Sequence, residues 1–276
     1  MTADGQSSAW RDLRPRVLSA MVLVVVAGGC IGVGGFAYAL MVLLAMGGMA
    51  AEAAGLLRLP VRSWRGVLYV LWAICGGLSA ATGHWQYFIL FSIGSCVFGA
   101  ELCTIMCVII MAGTALLWLR QASIWPVLFV VAVVVASDTS AYMAGRLLGG
   151  PKLAPRISPG KTRSGALGGL VGAVLVGGGI ALLSGLGSVE MALVWGGVLG
   201  VSAQLGDLAE SAMKRALGVK DSGTLLPGHG GLLDRFDGLV IAAPVAAAIS
   251  LAVPGAPFWS AGLHDLVHSL VAGLPG

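Results

Sequence analysis

The sequence has few charged residues. Asp, Glu, Lys and Arg together make up 10% of its 276 residues, whereas about 25% is usual for a soluble globular domain. Hydrophobic residues make up 58% of the chain, and the mean hydropathy is +0.94. The low charge excludes an ordinary soluble domain and predicts an integral membrane protein. The small net charge of +4 favours contact with anionic lipid head groups, and we expect no nucleic-acid partner.

The sequence also lacks the patterns of two other classes. Apolar and polar residues do not alternate with a period of two, which is the pattern of a membrane β-barrel. The five cysteines lie in apolar runs, and no histidine or further cysteine pair completes a zinc pattern. We therefore predict an all-α polytopic fold in which the cysteines are buried as small hydrophobic residues.

Long apolar runs predict about nine transmembrane helices, since about 20 apolar residues span a bilayer. The longest runs, 17–51 and 87–119, are each long enough for two spans. Single spans are expected at 66–82, 124–145, 165–183, 189–205 and 239–253. Many glycines in the 165–183 run predict close helix contact.

The first apolar run has a competing interpretation as a signal peptide. Ala37-Tyr38-Ala39 resembles a cleavage site, but the apolar sequence continues straight past it, which favours two retained helices. We predict a single membrane domain over residues 1–276, with N-terminal helices in 17–119 and a catalytic half in 124–254.

The distribution of Lys and Arg predicts the orientation of the chain. With the N-terminus in the cytoplasm, nine spans bring the basic loops 58–65, 146–163 and 214–235 to the cytoplasmic face. Of the 16 Lys and Arg residues, Arg120 alone is then left outside. Eight spans would put the basic loops on opposite faces, so we favour nine.

Much of the ionic chemistry is concentrated in residues 206–238, which hold five carboxylates and four cations. The helical spacing of four polar side chains predicts that they share one face: Asp207, Glu210, Ser211 and Lys214. Asp234 and Asp237 would share a face if the ninth helix begins there. Two such carboxylate groups meeting would suit Mg²⁺, which prefers oxygen ligands plus substrate phosphates. A solvated loop with ordinary ion pairs is the alternative.

The same stretch holds groups suited to a phosphate ligand. Four cations could neutralise a polyphosphate: Lys214, Arg215, Lys220 and Arg235. Gly230 and Gly231 would let the backbone approach a ligand closely. His229, between glycines, is either a general base or the cap of a turn.

Two clusters elsewhere could also carry chemistry. Asp138 lies late in an apolar span, where a carboxylate is either functional or a paired structural acid. Lys161, Thr162 and Arg163 open a helix, a position that favours phosphate or serves as a basic membrane anchor. The acids near other helix ends, Glu52 and Glu101, are expected to be structural.

Residues 211–237 resemble the signature of the phosphatidate cytidylyltransferases, or CDP-diacylglycerol synthases. That pattern is Ser-x-apolar-Lys-Arg, four residues, Lys-Asp-x-Gly, two residues, apolar-Pro-x-His-Gly-Gly-apolar-x-Asp-Arg-apolar-Asp, and every fixed position is filled here. Segments 138–146 and 157–162 also resemble the family. The chain departs from the usual family residues at Ser140, Gly160 and Ser164, so these side chains are assigned no role.

The resemblance implies transfer of CMP from CTP to phosphatidate, giving CDP-diacylglycerol and pyrophosphate. It implies a Mg²⁺-dependent site at Asp207 and Asp234, with Asp221 and Asp237 as further ligands or their partners. The four signature cations would bind the phosphates of CTP or of the lipid, and Lys161 and Arg163 would lie near them. The remaining residues implied at the substrates are these: Asp138, Thr162, Ser211, His229, Gly230 and Gly231.

The resemblance further implies an enzyme of the bacterial inner membrane whose site faces the cytoplasm. Its partners would be CTP, phosphatidate and the bilayer, with a monovalent cation such as K⁺ and a homodimer left open. Two other interpretations compete. An ion-coupled transporter would use Asp138 and Asp207 in broken helices. A CDP-alcohol transferase is a different membrane phosphotransferase, and its carboxylate motif is not found in this chain.

Overall fold

The computed structural model describes residues 21–223, 225, 230–262 and 264–265. The chain divides into two compact units. The N-terminal unit comprises Met1–Ile110 and Val219–Arg235, and the C-terminal unit comprises Met111–Gly218 and Phe236–Gly276. Most of the segment that resembles a family signature therefore folds with the N-terminal helices. Residues 17–20 of the first predicted span, and His229, lie outside the described residues.

Helices build the N-terminal unit. Its elements are α1 (Met21–Val33), α2 (Gly35–Leu56), α3 (Trp64–Ala81), α4 (Tyr87–Gly94), a 3-10 turn (Ser95–Phe98), the first part of α5 (Ala100–Ala122) and most of α9 (Leu233–Phe236). Gly34, with φ of 70°, separates α1 from α2, so the first apolar run is divided at its glycines as predicted. Gly99, with φ of 103°, divides the second long run before α5. Glycine adopts positive φ readily because it has no Cβ.

The C-terminal unit combines helices with one β-hairpin. Its elements are the rest of α5, α6 (Trp125–Leu148), β1 (Lys152–Ala154), β2 (Ser158–Thr162), α7 (Arg163–Ser184), α8 (Val189–Ala216), α10 (Leu239–Ser250) and a 3-10 turn (Phe258–Ser260). The strands are antiparallel, with Lys152 opposite Thr162. The segment between α6 and α7, expected to be a loop, is therefore ordered as a hairpin.

Small residues let α6, α7 and α8 pack closely. A Cβ built at Gly196 on α8 would lie 2.7 Å from the carbonyl oxygen of Ala173 on α7. A Cβ at Gly169 on α7 would lie 2.9 Å from the carbonyl oxygen of Ser137 on α6. These approaches leave no room for a side chain, which is the small-residue packing expected inside membranes.

Within the described part of the chain, the apolar helices match the nine predicted spans one for one. Six of those described are long and apolar enough to cross a membrane: α2, α3, α5, α6, α7 and α8. The other described apolar helices are shorter: Met21–Val33, Tyr87–Phe98 and Leu239–Ser250. The all-α polytopic membrane fold is confirmed.

Two details differ from expectation. The eighth span is expected to end at residue 205, but α8 continues to Ala216. The cysteines are expected to be buried, yet Cys75 and Cys96 are exposed and the other three are partly exposed. Lipid tails are as apolar as a protein core, so an apolar side chain on a membrane helix need not be buried in protein.

Candidate functional site

The charged end of α8 carries four polar side chains on one face, as their spacing predicts. The Ser211 hydroxyl donates to Oδ1 of Asp207 at 3.4 Å. Lys214 Nζ lies 2.7 Å from Oε2 of Glu210, and both side chains are nearly buried. Lys214 is thus already paired with a carboxylate. Asp207 lies about one helical turn before Glu210, nearer the apolar part of α8, and is partly exposed.

The hairpin brings a cation to Asp207. Lys161, on β2, has its Nζ 2.5 Å from Oδ2 of Asp207, and the two side chains are 26% and 30% exposed. Arg215 Nε donates to the carbonyl oxygen of Ile157 at 3.3 Å. Both contacts join the hairpin that carries Lys161 to α8.

Thr162 and Ser164 shape the start of α7. The Thr162 hydroxyl is the N-cap and accepts the Gly165 N–H at 3.1 Å, and it also lies 3.1 Å from the Ser164 hydroxyl. Ser164 in turn donates a short hydrogen bond to the Gly149 carbonyl. Thr162 is buried and its hydroxyl caps the N-terminus of α7. Arg163, the next residue, is exposed.

Three carboxylates of the C-terminal unit influence one another electrostatically: Asp138 on α6, Asp207 on α8, and Asp237. Burial raises the pKa of Asp237 to about 7, and the charges of Asp207 and Asp138 act in the same direction. A hydrogen bond from the Gly238 N–H, at 2.7 Å, and the charge of Lys161 oppose that rise. A carboxylate whose ionisation is opposed by burial and by neighbouring acids, as that of Asp237 is, is suited to receive a cation.

These acids do not form a complete metal site by themselves. Among the residues that the structure describes, no group of three or more His, Cys, Asp or Glu side chains is arranged to hold a metal ion. Mg²⁺ is commonly bound by one or two carboxylates, with substrate phosphates and water completing its shell. The acids therefore fit Mg²⁺ only as part of a shell that a phosphate ligand completes.

A cavity of about 650 Å³ opens beside the Lys161–Asp207 pair. Its volume lies within the range of about 300–1,000 Å³ that is usual for small-molecule sites. The residues that line it are Asp138, Ala141, Tyr142, Gly145, Arg146, Leu153, Gly160, Lys161, Thr162, Gly165, Ala166, Gln204, Asp207 and Leu208. Arg146 is a second cation on the wall of the cavity, and its Nη1 donates to the Tyr142 hydroxyl at 2.7 Å. The cavity joins two acids, two cations and apolar surface.

Sequence reasoning missed Gln204. Its side-chain amide donates to the carbonyl oxygen of Ala166 at 3.0 Å and to the Ser137 hydroxyl at 3.4 Å. Gln204 therefore links α8 to α7 and α6 one turn before Asp207. The available signal is a single amide within an apolar run, because polar groups in membrane helices usually have a specific partner.

The N-terminal unit holds the rest of the signature. Asp234, on α9, accepts the backbone N–H of Ser222 at 3.0 Å and that of Gly231 at 2.9 Å, both through Oδ2. Asp234 thus orders the segment before it. Asp234 and Asp237 do not share one continuous helix, because α9 ends at Phe236 and α10 begins at Leu239. The condition for a shared face, a helix that continues through both residues, is therefore not met.

The predicted site residues fall into two groups. Those of the C-terminal unit are Asp138, Lys161, Thr162, Arg163, Asp207, Ser211, Lys214, Arg215 and Asp237. Those of the N-terminal unit are Lys220, Asp221, Gly230, Gly231, Asp234 and Arg235, of which Lys220, Asp221 and Arg235 are exposed. His229 lies outside the described residues. The metal pair of Asp207 and Asp234 stays a prediction.

The sequence of this chain matches a known protein family. The model of the cytidylyltransferase family matches residues 14–253. A phosphatidate cytidylyltransferase of Brucella abortus is 54% identical over 121 residues, which are 42% of this chain and 43% of the relative. One of Staphylococcus haemolyticus is 43% identical over 129 residues, 46% of this chain and 49% of the relative.

An uncharacterised protein of Escherichia coli, YnbB, is 46% identical over 123 residues, which are 43% of this chain and 40% of the relative. The chain thus matches less than half of the length of each of these relatives. The family model, by contrast, extends over most of the chain, from before α1 to the segment after α10. The chain belongs to the cytidylyltransferase family.

Proposed function

We propose that this protein transfers CMP from CTP to phosphatidate, giving CDP-diacylglycerol and pyrophosphate. The family match and the relatives named phosphatidate cytidylyltransferase support the proposal. The observation that carries it is the Lys161–Asp207 pair on the wall of a large, mostly apolar cavity. A cation and a carboxylate suit a phosphate and its metal ion, and apolar walls suit the lipid.

The reaction needs positioning and charge neutralisation more than covalent help. An oxygen of the lipid phosphate attacks the α-phosphorus of CTP, and pyrophosphate leaves. Lys161 and Arg146 lie where they can bind phosphate oxygens within the cavity. The family resemblance adds four further cations for the phosphates, all of them exposed: Arg163, Arg215, Lys220 and Arg235.

Mg²⁺ is the cation proposed for the acids. Asp207 would hold it, and its charge would favour the ionised forms of Asp237 and Asp138. The family resemblance implies Asp234 and Asp221 as further ligands. Bound there, Mg²⁺ would neutralise the triphosphate and the leaving pyrophosphate. The proposal also includes K⁺ as a second ion and a homodimer, and both rest on the family resemblance alone.

The protein is an integral membrane protein, and we propose that its site faces the cytoplasm of a bacterial inner membrane. The Lys and Arg distribution over the loops supports this orientation. Cytoplasmic access is also what CTP requires. The competing transporter requires broken helices at Asp138 and Asp207, but both residues lie within unbroken helices, α6 and α8.

The test is product formation by the purified full chain in detergent, with radiolabelled CTP, phosphatidate and Mg²⁺. A lipid-soluble cytidine product that needs phosphatidate supports the proposal, and Asp207→Asn should abolish it. Glu101→Gln, which changes an exposed acid on α5, is the matched control. A folded native protein that forms no product overturns the proposal. Release of CMP from added CDP-diacylglycerol, without use of CTP, would instead indicate a CDP-alcohol transferase.

A further inference from the structure

Glu52 is the one charged residue of α2. It is 7% exposed, although it lies within a helix long and apolar enough to cross a membrane. Burying a carboxylate there is costly unless the group is hydrogen-bonded, and acids retained at such positions usually serve a function. The partners of Glu52 therefore indicate what it does.

Both carboxylate oxygens of Glu52 accept hydrogen bonds from the signature segment. Oε1 accepts the backbone N–H of Leu232 at 2.8 Å, and Oε2 accepts that of Leu233 at 2.9 Å. The Ser222 hydroxyl donates to Oε2 at 3.4 Å. Hydrogen bonds to an ionised acceptor are stronger than neutral ones, so Glu52 fastens both ends of segment 222–233 to α2.

The glycines of this segment fit against the same carboxylate. A Cβ built at Gly223 would lie 2.9 Å from Oε1 of Glu52, and one at Gly231 would lie 2.8 Å from Oε2. The Cβ at Gly231 would also overlap the Ser222 hydroxyl. Glu52 thus explains why two positions of the signature have no room for a side chain.

Asp234 holds the same backbone from its other side. Ser222 gives its N–H to Asp234 and its hydroxyl to Glu52. Gly231 gives its N–H to Asp234, and the next two N–H groups go to Glu52. The position of the Asp234 carboxylate therefore depends on a backbone that Glu52 fixes.

We propose that Glu52 is a positioning residue for the transfer reaction. It acts through the two described ends of segment 222–233, which it holds in place for Asp234. Both of its oxygens accept hydrogen bonds from the segment, so we assign its effect on the reaction to that segment. This inference rests on the proposed function, since the segment matters for catalysis only if CTP and its metal ion bind there.

The experiment compares Glu52→Gln with Glu101→Gln in the full chain. In the Glu52→Gln variant the new side-chain amide would turn an N–H toward a backbone N–H, so the segment loosens. We expect its KM for CTP to rise about tenfold, from the loss of charged hydrogen bonds. The control should keep the native KM. A merely structural role would lower the amount of folded enzyme, and with it the rate, but would leave the KM unchanged.

A second readout does not depend on activity. Hydrogen–deuterium exchange at Ser222, Gly231, Leu232 and Leu233, whose N–H groups bond to Glu52 or Asp234, should be faster in Glu52→Gln than in the native protein, while exchange in α3 stays the same. A native KM for CTP in a folded Glu52→Gln variant overturns the proposal. If the variant does not fold, Ser222→Ala decides, since it removes only the hydroxyl: a KM raised about two- to threefold supports the proposal, and a native KM overturns it.

Failure of the proposed function gives a different pattern. In that case the native protein forms no cytidine lipid, and kinetics decide nothing about Glu52. Exchange then tests the anchoring alone: faster exchange in Glu52→Gln supports it, and unchanged exchange overturns it.

Discussion

Lys161 and Asp207 form an ion pair that water reaches only in part. In the proposed function this pair separates, so that Lys161 binds a phosphate oxygen and Asp207 binds the metal ion. Lys161→Met should lower the kcat/KM for CTP about a hundredfold, because the phosphate loses a cation and Asp207 loses its partner.

Lys152→Met is the matched control for that change, since Lys152 is exposed on the neighbouring strand of the same hairpin. It should stay within about twofold of the native kcat/KM, as surface substitutions usually do. A Lys161→Met variant that also stays within this range would show that the pair does not serve the reaction.

Asp237 makes stability depend on pH. Its pKa is about 7 in the folded chain against an ordinary value of 3.8, so the folded state binds more protons between these two values. The free energy of unfolding therefore falls as pH rises through this window, and the loss is complete above pH 7. In buffer with a chelator, Asp237→Asn should melt at a higher temperature than the native protein at about pH 8 and at the same temperature at about pH 4.

Glu190→Gln, at the exposed start of α8, should show no such gain at the higher pH. Added Mg²⁺ should narrow the gap between Asp237→Asn and the native protein, because a bound cation favours the ionised acid. Equal melting temperatures of the two proteins at the higher pH, without metal, would contradict the prediction.

Some of these residues could be predicted from sequence and some could not. Asp138 and Asp207 are acids at the ends of apolar runs and Lys161 lies in a basic loop, and the fold brings all three to one cavity. From sequence, Glu52 is expected to be structural, since it lies near the end of an apolar run. Its partners could not be found, because they lie 170 to 181 positions away along the chain. Local spacing carries no information on contacts that distant.

The contact between α7 and α8 relies on glycines that face a neighbouring backbone. Gly196→Ala should lower the free energy of unfolding by about 1–3 kcal/mol, because its Cβ would overlap the Ala173 carbonyl. The measurement is a lower melting temperature in detergent. Gly179→Ala is the control on α7, where a Cβ would meet nothing within 4 Å. There the helix propensity of alanine should hold or raise the melting temperature.

The opposite result, a stable Gly196→Ala and a destabilised Gly179→Ala, would contradict this packing. Sequence predicts that the glycines pack helices together, which the structure bears out for α7. It does not separate Gly196 from Gly179, because helical spacing gives a face but not the distance to a neighbour.

Local structure between the helices is harder to predict than the helices themselves. Apolar runs are long and repeat one signal many times, so each apolar helix can be found. The hairpin at β1 and β2 has strands of only three and five residues, too short for any period to be read. The length of α8 is missed for a related reason, because the chain turns polar at Asp207 while its helical spacing continues.

The orientation of the whole chain can be tested directly at α6. A protease-sensitive epitope inserted after Ala122, before α6, should be cleaved from outside intact spheroplasts. The same epitope inserted after Gly150, beyond α6, should be cleaved only in inverted membrane vesicles, because the basic hairpin is predicted to face the cytoplasm. Both insertion points are exposed.

Each tagged protein should first be checked for native activity. Cleavage of the Gly150 epitope from outside would reverse the orientation and separate the site from the CTP of the cell. Hydropathy predicts the number of apolar helices well, since each forms its own backbone hydrogen bonds. It cannot assign the three shorter ones to full spans, because depth in a membrane depends on neighbouring helices.

α8 runs without a break over 28 residues, a rod of about 42 Å, whereas the hydrocarbon core of a bilayer is about 30 Å thick. Asp207 lies on that rod about 27 Å from its start. A helix responds to a thinner or thicker bilayer by tilting or by standing more upright. The depth of Asp207 relative to the membrane surface is therefore tied to the acyl-chain length of the surrounding lipids, and so are the hydration of its carboxylate and its distance from the head groups.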